Sequence, residues 1–159
     1  MPNIAAVVKE LSVSQSSFYL IKEFNKCIDN TDLSMSVFFE RPAITPIDAM
    51  FACKSMVYLS GYSGIVVSTT IEDADKTLKA TNSSSRYLYL WDIEWLENPM
   101  YFEKTVSVLR DPRLKIIARS QSHADAIESF CNKKPIGIVS DWNRDQLLKI
   151  LGVKHETNR

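Results

Sequence analysis

The 159-residue sequence is poor in several residue types, and each deficit excludes a class of protein. Four glycines and six prolines are too few for a collagen-like chain or a low-complexity linker. Three cysteines, Cys27, Cys53 and Cys131, form no Cys-x-x-Cys pair, which predicts reduced thiols and a cytoplasmic protein. No secretory leader pattern begins the sequence, and no apolar run approaches the roughly 18 residues of a membrane span.

Charge of one sign is also missing, because 19 basic residues balance 19 acidic residues. Proteins that bind the backbone of nucleic acids normally carry an excess of positive charge, so the composition argues against a nucleic-acid partner. With 45% hydrophobic and 24% charged residues, the composition is that of a globular domain. We predict one α/β domain over residues 1–152 and a polar tail over residues 153–159.

Short apolar runs alternate with helical patterns along the chain. The runs are continuously apolar rather than alternating, which is typical of strands buried on both faces of a parallel sheet. This alternation predicts a doubly wound, mostly parallel sheet with helices on both faces, a Rossmann-like sandwich of three layers. The predicted strands are 4–8, 35–39, 64–68, 86–91, 114–118 and 135–139, whereas residues 49–58 fit either a strand or a helix.

Two further expectations concern helix starts and the core. Ser12 and Gln15 have the spacing of a capping box, with Ser14 as the alternative cap. The other predicted helix starts are Thr70, Asn98–Pro99, Ser122, and Asp141 or Asn143. We expect one central core to contain Phe24, Val37, Val66, Leu88, Ile117 and Ile138.

The common cofactor fingerprints do not occur in the sequence. No Gly-x-Gly-x-x-Gly follows the first predicted strand, and neither a P-loop nor a Gly-x-Ser-x-Gly elbow is present. His123 and His155 are too far apart in the chain for a local zinc motif. We therefore predict no cofactor and no bound metal.

Serine-rich segments follow several predicted strands. Ligands of open α/β sheets bind beyond the carboxyl ends of the strands, where helix N-termini also favour anions. On this rule we predict a substrate-binding role for Ser12, Ser14, Ser68, Ser120 and His123. The alternative is that the serine hydroxyls only cap helices and that His123 is a surface residue.

Two carboxylates follow the aromatic strand 86–91, with tryptophans on either side. Asp92 and Glu94 lie between Trp91 and Trp95, and an aromatic face beside carboxylates is typical of sugar sites. We predict catalytic roles for Asp92 and Glu94, with Asp92 central because burial can raise its pKa, and a stacking role for Trp95. Alternatively, Trp91 belongs to the core, Asp92 starts a turn and Trp95 closes the sheet edge.

Three segments between residues 64 and 145 carry a family resemblance. Residues 89–95 (Tyr-Leu-Trp-Asp-Ile-Glu-Trp) are followed by a strand, serine and helix over 115–127 and by another strand over 134–142. Together they resemble the N-terminal, acceptor-side domain of GT-B glycosyltransferases. The resemblance implies a metal-independent transferase half that binds a sugar or nucleotide sugar. It also implies a partner domain or chain, because the family's second domain holds the nucleotide sugar.

The sequence departs from that family in three places, and two other interpretations remain open. Residues 10–17 lack a glycine-rich turn, Trp91 stands where a histidine is frequent, and residues 140–143 (Ser-Asp-Trp-Asn) replace Asn-Gly-Val-Asp. The first alternative is a non-catalytic Rossmann-like module that binds a nucleotide, a sugar or a protein. The second is a structural subunit whose exposed Trp95 and Trp142 anchor an interface.

Overall fold

The strands of the computed structural model, which describes residues 2–28, 32–80, 85–97 and 99–154, form one sheet. The strands are β1 Asn3–Val8, β2 Ser34–Phe39, β3 Ala52–Ser55, β4 Ile65–Ser68, β5 Arg86–Leu90, β6 Leu114–Ala118 and β7 Gly137–Ile138. Within the described residues the sheet has seven strands in the order β3-β2-β1-β4-β5-β6-β7, and every pair is parallel.

Helices cover both faces of this sheet. They are α1 Gln15–Asn25, α2 Ile71–Ala80, α3 Glu94–Glu97, α4 Phe102–Arg110, α5 Gln121–Cys131 and α6 Arg144–Ile150, with 3₁₀ turns at Met56–Gly61 and Pro99–Tyr101. Apolar residues of α1 and α6 pack on one face, and those of α2, α4 and α5 pack on the other. The predicted doubly wound, three-layer α/β fold is therefore confirmed.

The apolar interior is divided by the sheet, so the expectation of one central core is wrong. Phe24, Val37 and Ile117 belong to the cluster beneath α1 and α6. Leu88 lies with α2, α4 and α5, and Val66 packs with the 3₁₀ turn on that same face. The division follows from strand geometry, because successive side chains point to opposite faces of a sheet. Ile138, on the short strand β7, is only partly buried.

The helix starts differ from the sequence prediction in detail. Ser14, rather than Ser12, caps α1, because its hydroxyl accepts the Ser17 N–H at 3.1 Å. The prediction that Ser122 caps α5 is wrong, since Ser120 holds that position. Asn143 caps α6, and residues 49–58 contain β3 followed by the first residues of a 3₁₀ turn. Asn98, and residues 155–159 with His155, lie outside the described residues.

The order of the strands reverses between β1 and β4. The connection from β1 to β2 carries α1 on one face, whereas the connection from β4 to β5 carries α2 on the other. The loops after β1 and β4 therefore diverge, and an open α/β sheet binds its ligands at such a point. Across the described residues, no helix has both the length and the apolar character needed to cross a membrane.

Candidate functional site

A crevice of about 260 Å³, here called the switch crevice, opens where the strand order reverses. Its walls come from the loops that follow β1, β4 and β5 and from the first turn of α1. Carboxylates, hydroxyls and one amine face it, so the lining supplies many hydrogen-bond acceptors and a few donors. The polar lining residues are Lys9, Glu10, Ser14, Ser16, Ser17, Thr69, Thr70, Asp92, Glu94 and Glu97.

A second cavity of about 470 Å³, here called the side pocket, adjoins the switch crevice. Lys9 and Glu94 line both cavities and therefore stand where the two meet. The side pocket extends over the first turn of α2 toward α4, and its remaining lining is partly apolar. These lining residues are Ile71, Glu72, Trp95, Tyr101, Lys104 and Thr105.

Glu94 is the half-buried acid at this junction. Its Oε2 accepts the backbone N–H of Ile71, the first residue of α2, at 3.2 Å. Burial raises the pKa of Glu94 to about 7, and the nearby charges of Asp73, Asp92 and Glu72 act in the same direction. The Ile71 hydrogen bond works against this increase. Glu94 therefore changes its protonation state near neutral pH.

Asp92 lies on the rim of the switch crevice and is exposed. The desolvation that we predicted at Asp92 occurs at Glu94 instead. The reason is local, because the chain turns after Leu90, buries Trp91 and leaves the next side chain in solvent. Asp92 is thus an exposed acid at the rim of the switch crevice, whereas Glu94 is half-buried where the two cavities meet.

The tryptophans are packed into the protein. Trp142 is fully buried and Trp95 is 9% exposed, so the prediction that they are exposed interface anchors is wrong. The Trp95 ring stacks on Phe130 at a centroid distance of 4.3 Å, which occupies one ring face while the residue still lines the side pocket. The Arg119 guanidinium lies 3.7 Å from the centroid of the Trp91 ring.

The serines predicted to bind substrate separate into different environments. Ser14 lines the switch crevice while capping α1, and Ser12 is half-buried outside its lining. Ser68 is completely buried and hydrogen bonds with Thr77 Oγ1 at 3.2 Å beneath α2, so no ligand reaches it. The serines therefore do not form one surface, because Ser68 is the last residue of β4 and is buried, whereas the others lie in the segments after β1 and β6.

Ser120 and His123 lie in a neighbouring cavity of about 300 Å³ with Arg119, Ser140 and Asp141. Ser120 caps α5 by accepting the His123 N–H at 3.3 Å. Arg119 Nη2 pairs with Asp141 Oδ1 at 3.2 Å while the guanidinium covers Trp91, a wall residue of the switch crevice. The stacked Trp91–Arg119 pair therefore stands between this cavity and the switch crevice.

The turn after β7 is strained and is tied to the switch crevice. Asp141 and Trp142 both have positive φ, at 48° and 60°, where residues other than glycine are rare. Tyr89 supports the turn, since its hydroxyl donates to the Val139 carbonyl at 2.6 Å and accepts the Trp142 N–H at 3.5 Å. Trp142 Nε1 also donates to Ser16 Oγ at 3.4 Å, which joins this turn to the crevice wall.

Sequence reasoning missed several lining residues. Thr70 had a signal only as a helix cap, and Lys9 only as part of the loop after the first strand. Thr69 and Glu97 likewise had a signal only as members of loops that follow predicted strands, and nothing else in the sequence separates them from solvated polar residues. Among the described residues, no group of three or more His, Cys, Asp or Glu side chains is arranged to hold a metal ion.

Comparison with protein-family models, with curated protein sequences and with solved structures finds no significant match to this chain. The resemblance to the GT-B acceptor-side domain therefore remains a hypothesis that rests on residues 64–145.

Proposed function

We propose that the switch crevice binds a sugar and that the protein forms the acceptor side of a glycosyl transfer, with Glu94 as the general base. The observation that carries this proposal is the position of Glu94. Its carboxyl is half-buried, has one oxygen fixed by the Ile71 N–H and faces both cavities. With a pKa of about 7, it is ionised often enough at neutral pH to accept a proton.

The lining of the switch crevice suits the hydroxyl groups of a sugar. Asp92 and Glu97 offer charged acceptors, and the Ser16 hydroxyl, which accepts the Trp142 Nε1–H, still has its own hydrogen to donate. Hydrogen bonds to charged groups contribute about 1.5–3 kcal/mol each, more than neutral ones. The same carboxylates repel a diphosphate, which favours an acceptor sugar over a nucleotide sugar as the occupant of this crevice.

The proposed reaction needs one proton transfer from the acceptor. An acceptor hydroxyl oxygen forms a bond to the anomeric carbon of the donor sugar, and the bond from that carbon to the leaving phosphate oxygen breaks. The hydroxyl proton passes to the carboxylate of Glu94. The donor nucleotide sugar would be held by a second domain or by a partner chain.

Titration calorimetry with glucose, galactose, mannose and N-acetylglucosamine, and with short glycans built from them, tests the proposal. We expect at least one of these sugars to bind, and Asp92→Asn to weaken its binding about tenfold through the loss of a charged acceptor. Glu94→Gln should abolish the pH dependence of binding around neutrality, because glutamine does not titrate.

Glu128→Gln is the matched control, since Glu128 is an exposed acid on α5 that lines none of these cavities. It should leave affinity unchanged. Absence of binding across the sugar panel, or equal affinity of the wild type and both crevice variants, would contradict the proposal. Melting temperatures of all variants show whether a lost affinity reflects a lost fold.

A further inference from the structure

A second acid, Asp73, lies in the first turn of α2, the turn whose Ile71 N–H hydrogen bonds Glu94. Asp73, in the first turn of α2, is only 1% exposed, and its Oδ2 has no hydrogen-bond partner among the described residues. An unpaired buried carboxylate oxygen is costly, so such a group requires an explanation. Burial raises the pKa of Asp73 to about 6.

The first turn of α2 connects the two acids. Ile71 donates its N–H to Glu94 Oε2 at 3.2 Å, and two residues later Asp73 donates its own N–H to Thr70 Oγ1 at 3.0 Å. The Thr70 hydroxyl also lowers the pKa of the Asp73 carboxyl, against the effect of burial. The charge on Asp73 acts on Glu94 and favours its protonated form.

The charged groups around Asp73 and Glu94 do not neutralise these two carboxyls. Lys76 faces Asp73 from α2, but its ammonium is shared between Glu40 and Glu72, at 3.1 Å from each. Glu40 and Glu72 face Asp73, and Asp92 and Glu72 face Glu94, so all of these acids add negative charge. The other cations near Glu94 are Lys9 and Lys104, which line the side pocket. In the described part of the chain, neither Asp73 nor Glu94 has a cation within salt-bridge distance.

We propose that Asp73 is a positioning residue for Glu94: the first turn of α2 holds both carboxyls, and the buried Asp73 carboxyl acts on Glu94 from behind, without touching the ligand. This inference rests on the proposed role of Glu94 as the base. The charge on one carboxyl disfavours ionisation of the other, and Glu94, whose pKa is the higher of the two, keeps its proton longer. A hydroxyl arriving in the switch crevice then meets a carboxylate with high proton affinity.

A purely structural role for Asp73 makes a different prediction. An acid in the first turn of a helix stabilises that helix through its dipole. In that case Asp73→Asn would lower the free energy of unfolding but would leave the titration of Glu94 in place. The protonation of Glu94 therefore separates the two roles.

Carbon-13 NMR of the labelled side-chain carboxyls, followed from pH 4 to 9, measures the coupling without any ligand. We expect Asp73→Asn to lower the titration midpoint of Glu94 by about one pH unit, the strength at which two sites titrate as a pair. Asp125→Asn is the control, because Asp125 is an exposed acid on α5 that lines neither the switch crevice nor the side pocket. It should leave the Glu94 midpoint unchanged.

An unchanged or higher Glu94 midpoint in folded Asp73→Asn overturns the inference. If that variant does not fold, the wild-type titration decides, since coupled carboxyls each show two steps whereas independent ones each show one. If no sugar binds but Asp73→Asn still lowers the Glu94 midpoint, the proposed function is refuted while the interaction between the two carboxyls is supported. Sugar binding with no coupling would refute the role of Asp73 alone.

Discussion

Replacing Glu94 with glutamine should change how the stability of the fold depends on pH. Burial raises the pKa of Glu94 from 4.5 to about 7, so ionisation is harder in the folded state than in the unfolded state. The stability that this difference provides is fully present below the unfolded pKa and is lost as the pH rises through the folded value. At 1.36 kcal/mol per pKa unit the difference corresponds to about 3 kcal/mol, and solvent reaching the carboxyl reduces it to about 1–2 kcal/mol.

Urea denaturation at pH 5, 6, 7 and 8 tests this reasoning. The wild type should lose about 1–2 kcal/mol more than Glu94→Gln between pH 5 and pH 8, because glutamine does not ionise and still offers an oxygen to the Ile71 N–H. Glu128→Gln should follow the wild-type curve. Parallel curves for the wild type and Glu94→Gln, or a wild type that gains stability relative to the variant at high pH, would refute the burial argument.

Two further predictions concern the fold. Ser14→Ala should lower the free energy of unfolding, measured by chemical denaturation, by about 1 kcal/mol because α1 loses its cap. Ser12→Ala should change the free energy of unfolding little. Equal losses in the two variants would contradict the assignment of the cap to Ser14. Leu88→Ala should lower the free energy of unfolding by about 2–5 kcal/mol because the side chain is fully buried on β5. Ile138→Ala should lower it clearly less, because Ile138 is only partly buried. A larger loss for Ile138→Ala than for Leu88→Ala would contradict this assignment of the core.

The strands could be predicted because the central strands of this sheet are buried on both faces. A continuous apolar run such as 114–118 is typical of a strand that is buried on both faces of a parallel sheet, and β6 spans those same residues. The two edge strands of the sheet were harder to predict, since β3 has three exposed residues and β7 has only two residues. Pro135 offers no N–H to a ladder, so the sequence pattern there was longer than the strand.

The site could be predicted as a region but not as an arrangement. The rule that ligands bind beyond strand ends located the loops with Ser14, Asp92 and Glu94. Which carboxyl is buried depends on a contact between Glu94 and Ile71, and these residues lie 23 positions apart in the chain. No local pattern contains that contact, and in the sequence the exposed Asp92 looked the more suitable of the two acids.

The topology of the sheet explains why Glu94 can be both desolvated and accessible. Strand β5 pairs with β4, so the chain leaving β5 passes beside the N-terminus of α2, which begins just after β4. That helix end has backbone N–H groups without intrahelical partners, and Glu94 satisfies one of them. The hydrogen bond holds the carboxyl against the helix while the diverging loops after β1 and β4 leave its other side open to the cavities. A carboxyl held in this way does not depend on a glycine-rich turn after β1, whose absence is one of the three features that set this sequence apart from the GT-B pattern.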